Sequence, residues 1–250
     1  FPAFMELRPL HATRAMLLAI HYYVLKRHHA RSDEVLQEEF DFNGVAARLR
    51  TDYSAVWDGA TYDHDNPLKL LNAFDHRMAH LAEANEAAII SEIIDIVVAV
   101  NRFAVVWKRL IDLGAKHYDG IGSRLVPLTT AVPILVGYDT TVAIGGYLEK
   151  NFERLSSEDR ARCESAILSI PAVRSGSQEA NERIRDRLLG CLAEDWLTTD
   201  SARAAVKALR LGDGPPPNEP PVRFSGWMSG RYGEAEHLAE QGVPIDAAPN

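Results

Sequence analysis

The sequence lacks most of the residues that would announce a function. Cysteine is scarce: Cys163 and Cys191 are the only two in 250 residues. Each sits within an amphipathic helical pattern, so they read as buried free thiols of a reducing cytoplasm, not as a disulfide. Basic charge is in deficit, with 27 Lys and Arg against 35 Asp and Glu, a formal charge of −8. That excludes the broadly basic surface needed to displace counterions from phosphate, and with it non-specific nucleic-acid binding. Long uncharged apolar runs are missing too. The most apolar, Val126–Tyr138, is too short to span a bilayer and carries Pro127 and Pro133, so no membrane association is expected. No basic–apolar–small secretory signal appears. There is no GxGxxG, GK[ST] or GxSxG element, so neither a cofactor site nor a catalytic residue is assigned.

What is present is apolar residue in helical register. At 46% hydrophobic the chain can bury a substantial core. Its organising stretch is Glu86–Gly114, in which Ser91, Asp95, Arg102 and Arg109 recur at helical spacing and nearly everything else is apolar. This predicts one long helix, covered on several sides. Asn85 is placed to cap its start and Gly114 to end it. Ile93, Val97, Phe103 and Trp107 are expected inside, Asp95 and Arg102 outside.

The rest of the chain reads as helices of varied length. Pro9–Ala30 is long, with Pro9 in its first turn and Lys26, Arg27, His28 and His29 at the end that favours positive charge. Arg31–Asp65 is irregular, with short helices possible over Asp33–Phe40 and Gly44–Arg50. Asn66 and Pro67 start a helix running to Glu83, with Leu70, Leu71, Phe74, Met78 and Leu81 on one stripe. Val126–Tyr138 is a short helix interrupted by Pro133, and Asp139 caps Thr140–Leu155. Gly145 and Gly146 lie inside that helix, where they cost stability and are expected to permit close approach of a neighbouring helix.

Ser156 opens a capped helix that stops at Pro171, followed by Ser177–Leu197 and Asp200–Leu211. No strand alternation runs beyond a few residues. The fold class is all-α, an irregular bundle or short α-solenoid of antiparallel helices. Gly212–Gly226 holds five prolines and is an extended segment between a helical domain, residues 1–211, and a short helical tail, residues 227–250. Phe224 and Trp227 are expected to anchor it.

Two constellations carry possible chemistry. His76 and His80 stand at i, i+4, a spacing that can bind zinc, and His64 in the loop before them could complete a site. Arg77 occupies the place where a zincin has its glutamate, so a solvated helix face is the better reading. Asp119-Gly120-Ile121-Gly122-Ser123 has phosphate-loop composition but follows a helix and lacks the spacing; it reads as a connector.

Tyr147–Pro171, YLEKNFERLSSEDRARCESAILSIP, joins two amphipathic helices through L-S-x-E-x-R and ends in Ile-Pro. It resembles the HEAT- or armadillo-like helical-repeat regions of large multidomain bacterial proteins, over roughly Asp139–Leu211. The resemblance implies a scaffold class and transfers no site residue; no fixed period aligns the two halves of the chain. The chain opens at Phe1 without a Met, as expected of a piece of a longer polypeptide. The expected function is a non-catalytic scaffold or interaction module, its partner a protein or a neighbouring domain. The alternatives are a metal-dependent hydrolase using His64, His76 and His80, and an all-α domain binding a small ligand near Gly145–Gly146.

Overall fold

A computed structural model of the chain describes residues 1–27, 37–58 and 66–219. They form α1 (Pro2–Leu7), α2 (Pro9–Arg27), a hairpin of β1 (Glu38–Phe42) and β2 (Val45–Leu49), and α3 (Ser54–Trp57). Then come α4 (Asn66–Glu83), α5 (Ala87–Val100), α6 (Ala104–Lys116), α7 (Val132–Val136) and α8 (Thr141–Asn151). Last are α9 (Ser157–Val173), α10 (Gln178–Gly190) and α11 (Asp200–Leu211). The class is all-α. One continuous core joins α2 through α11, with Met16, Ile20, Phe74, Val97, Trp107 and Tyr147 among its buried members. The compact unit runs from Phe1 through Glu219 and takes in the first part of the Pro-rich stretch.

The organising stretch is buried as its pattern predicts, but it is two helices. Ile93, Val97, Phe103 and Trp107 are inside; Asp95 and Arg102 face out. Between α5 and α6, Asn101 to Phe103 is extended. The Asn101 amide donates to the Phe103 carbonyl at 2.9 Å and its oxygen accepts the Phe103 N–H at 3.2 Å, replacing helical bonds. The opening lets residues 50–52 in. The Ala104 N–H bonds the Arg50 carbonyl at 3.0 Å, and the Val105 N–H bonds the Asp52 carboxylate at 2.7 Å. First-turn donors of α6 are thus satisfied from a distant segment.

Several local assignments change with it. Asn85 ends α4 instead of capping α5. It sits at φ +57°, and bonds from Glu86 N–H to the Leu81 carbonyl and from Asn85 N–H to the Ala82 carbonyl close a Schellman turn. Gly114 lies inside α6, and a Cβ there would come within 3.1 Å of the Gly122 Cα. The two glycines let helix and connector touch backbone to backbone. Pro133 stands in the first turn of α7, where it starts the helix. Pro171 is inside α9, two residues before its end at Val173.

The larger departure is at residues 38–49, where the helical expectation gives way to the hairpin. Phe40, Phe42, Ala47 and Leu49 face the core, and Phe40 and Phe42 pack on Trp107 at 5.5 and 6.3 Å. Asn43 and Gly44 both take positive φ, +53° and +83°, as a two-residue primed turn requires. The Trp107 indole N–H donates to the Arg48 carbonyl at 2.9 Å, tying the hairpin to α6.

The C-terminal helices α9, α10 and α11 pack in succession, and each has a hydroxyl cap. Ser156, Ser177 and Thr199 accept the N–H groups of Asp159, Ala180 and Ala202. The anchors expected at Phe224 and Trp227, the tail from residue 227, and His28 and His29 lie outside the described residues.

Candidate functional site

Glycine decides where the helices α8 and α10 can be approached. Gly145 is buried on α8, and a Cβ built there would lie 2.6 Å from the Asn218 side chain. Gly190 ends α10, and a Cβ there would lie 2.5 Å from the Pro215 ring. The two notches admit residues 213–219, which cross both helices, irregular over 214–217 and bent at Asn218 and Glu219, where the Glu219 N–H bonds the Pro217 carbonyl at 2.9 Å. Gly214, Pro216 and Asn218 are half-buried, while Asp213, Pro215, Pro217 and Glu219 are exposed. The Asn218 amide donates to the Val142 carbonyl at 3.1 Å. The helical stack therefore holds a proline-rich chain in a shallow groove. The close neighbour that Gly145 permits is this strand, not another helix.

Arg187 forms the polar wall of the groove. It is 8% exposed, donates to the Thr141 hydroxyl at 2.5 Å and reaches the Glu219 carbonyl at only 3.5 Å. Burial, and behind it the neighbouring Arg183 charge, lowers its pKa. Among the described residues no carboxylate pairs with it at 4.0 Å or less. Arg187 Nε and Asn218 Oδ1 are both buried without a hydrogen-bond partner among the described residues. A buried polar atom left this way costs about 1–3 kcal/mol. The strand fits the notches sterically; it leaves Arg187 Nε of the wall unbonded, as Nε also is at Arg50, Arg77 and Arg160, and leaves its own Asn218 Oδ1 without a partner.

The other buried charges hold backbone. Asp52 is completely buried and accepts the Ser54 and Val105 N–H groups at 3.0 and 2.7 Å. Burial, then the nearby Asp139 charge, pushes its pKa up to about 7. Asp139, expected to cap α8, instead turns to the N–H groups of Asp52 and Tyr53 at 3.3 and 3.2 Å. Glu164 is fully buried on α9 and accepts the Thr198 and Thr199 N–H groups at 2.6 and 2.7 Å, fixing the start of α11. No local signal marks Glu164 in the sequence.

A charge network joins α4, α6 and the end of α3. Arg109 donates to Asp58 and Asp75, each at 2.5 Å, and to Asn72 at 2.8 Å, while Lys108 reaches Asp58 at 2.9 Å. Burial raises the Asp58 carboxyl, but the Arg109 hydrogen bond and the Lys108 and Arg109 charges outweigh it and leave the pKa lowered. Asp75, where burial dominates Arg109, is pushed up to about 6.

His76 and His80 are exposed on α4. His76 lines an open cleft of about 730 Å³ with Phe1, Glu6, Lys69 and Asn72. The Arg77 guanidinium stands 3.1 Å from His80 Nδ1 and bonds Glu6 at 2.7 Å, placing positive charge beside that ring. His64 lies outside the described residues, and among the described ones no three metal-ligating side chains gather. In the 119–123 connector, Asp119 pairs with Arg154 at 2.5 Å and Ile121 is buried. Cys163 and Cys191 are buried free thiols, each pushed up to about 12 by burial, which makes them poor nucleophiles. Among the described residues no helix is long and apolar enough to cross a membrane.

Comparison with known proteins brings out no matching family model, no similar curated protein and no similar solved structure.

Proposed function

We propose that the chain is a non-catalytic helical scaffold, an interaction module of HEAT- or armadillo-like character working within a larger polypeptide. The observation that carries this reading is the strand at residues 213–219, seated across α8 and α10 by the Gly145 and Gly190 notches. A helical surface already shaped to hold a proline-rich chain is a surface for holding chains. The use of Asp52, Asp139 and Glu164 on backbone N–H groups agrees with it, since these buried carboxylates position elements. The partner is a protein or a neighbouring domain, met in a reducing cytoplasm where buried thiols persist.

Crosslinking of the tagged full chain in cells tests the proposal. A discrete partner protein or domain should be captured by the unaltered chain and lost from Arg162→Glu/Arg203→Glu. Both arginines are exposed, on α9 and α11, with ion pairs worth under about 1 kcal/mol each; Arg203 also donates to the Leu197 carbonyl at 2.7 Å, so capture is compared at a temperature where both proteins are folded. Absence of any partner, or capture indifferent to both reversals and to changes in the groove, would overturn it.

A further inference from the structure

From the notches and the polar wall of the groove we infer that α8 and α10 form a recognition site for a proline-rich chain with a carboxylate opposite Arg187, and that residues 213–219 occupy it as a replaceable internal ligand. This rests on the scaffold reading and adds the chemistry of what is bound.

Three observations converge. The notches at Gly145 and Gly190 are matched to the Asn218 amide and the Pro215 ring, so the occupant is a segment with a stiff proline start and a small polar side chain three residues on, bent just after it. Arg187 is a buried cation whose contacts are a hydroxyl at 2.5 Å and a backbone carbonyl at 3.5 Å, both uncharged. Arg187 Nε and Asn218 Oδ1 are buried and unbonded among the described residues. A chain ending at the position of Glu219 would place its terminal carboxylate where that carbonyl now lies. The long neutral contact then becomes a charge-assisted one, with a second oxygen available to the guanidinium. Prolines lower the ordering cost of such a ligand because their backbone is already extended. The internal strand shares the shape and lacks the charge at that atom, so an anionic segment of the same form displaces it.

The test uses the full chain and two synthetic heptapeptides of the Asp213–Glu219 sequence, one ending in a free carboxylate and the other in an amide. Pro215→Gly/Asn218→Ala in the protein removes the internal grips. The free-acid peptide should bind this variant at least about tenfold more tightly than it binds the unaltered chain, and about tenfold more tightly than the amide does. Adding Arg187→Gln should erase the acid–amide difference, and Gly145→Ala should weaken both peptides by filling the notch. Equal binding of acid and amide would overturn the carboxylate requirement. No binding of either peptide to a variant that melts like the unaltered chain would overturn the groove itself. If the double variant melts early, amide exchange at Gly214, Asn218 and Glu219 is followed in the unaltered chain with saturating free-acid peptide. Faster exchange is expected, and unchanged exchange counts against the inference. Partner crosslinks that survive a failed peptide titration sink this inference alone; peptide binding without any crosslinked partner sinks the scaffold reading alone.

Discussion

Asp52 and Gly122 are both buried, and each makes a sharp demand on its position. Asp52 must accept two backbone N–H groups beside Asp139, and burial followed by that charge raises its pKa to about 7. An unfolded aspartate titrates near 3.9, so the folded state holds the proton more tightly. Its contribution to stability is full below about pH 4 and is lost as pH rises through about 7. Asp75, raised to about 6 by burial, acts in the same sense. Thermal melts at pH 5 and pH 8 should therefore show a larger fall in the unaltered chain than in Asp52→Asn. Equal falls would mean that Asp52 does not hold this proton. At Gly122 an added Cβ would lie 2.5 Å from the Gly114 carbonyl oxygen, which is backbone and cannot step aside. At Gly114 the nearest obstacle, at 2.8 Å, is a methyl of Leu125 that can rotate. Gly122→Ala should cost about 1–3 kcal/mol and Gly114→Ala less; denaturant melts that reverse the order would show that the connector yields first.

At the scale of elements, the break between α5 and α6 shows what a local pattern contains and what it omits. The apolar register of residues 89–110 puts Ile93, Val97, Phe103 and Trp107 inside, because burial depends on period and both helices keep it. The break itself needs residues 50–52, some fifty positions away in the chain, to supply the Arg50 carbonyl and the Asp52 carboxylate. No window of sequence around Asn101 holds that information. Asn101→Ala removes both bonds to Phe103 and should lower stability by about 1–3 kcal/mol. A variant as stable as the parent by chemical denaturation would mean that the inserted segment alone keeps the helices apart. The hairpin is the opposite case. Asn43-Gly44 between FDF and VAARL is a strong two-residue turn signal, and it was legible in the sequence. Helical context on both sides and strands of five residues each obscured it. Gly145 was legible as a place of close approach, while its neighbour Asn218 was not, since nothing local links positions 145 and 218.

For the whole molecule the decisive question is whether the Pro-rich strand completes the core or lies on a finished one. The buried cluster ends at Val206 on α11, and no described residue of the strand belongs to it. The strand half-buries only Gly214, Pro216 and Asn218, and it is tied to α8 by the bond from Asn218 to Val142. Its removal opens the Arg187 wall to water, and the hydration gained there offsets part of the packing given up. A fragment ending at Glu219 keeps the strand and serves as the reference. Truncation after Leu211 should cost about 1–2 kcal/mol relative to it, the scale of one bond and little apolar area. Both fragments should unfold in a single cooperative transition by calorimetry. A fragment 1–211 that melts broadly, or exposes dye-binding apolar surface before heating, would make the strand an integral layer of the fold. The groove on α8 and α10 would then be a seam of the core and no site for a second chain.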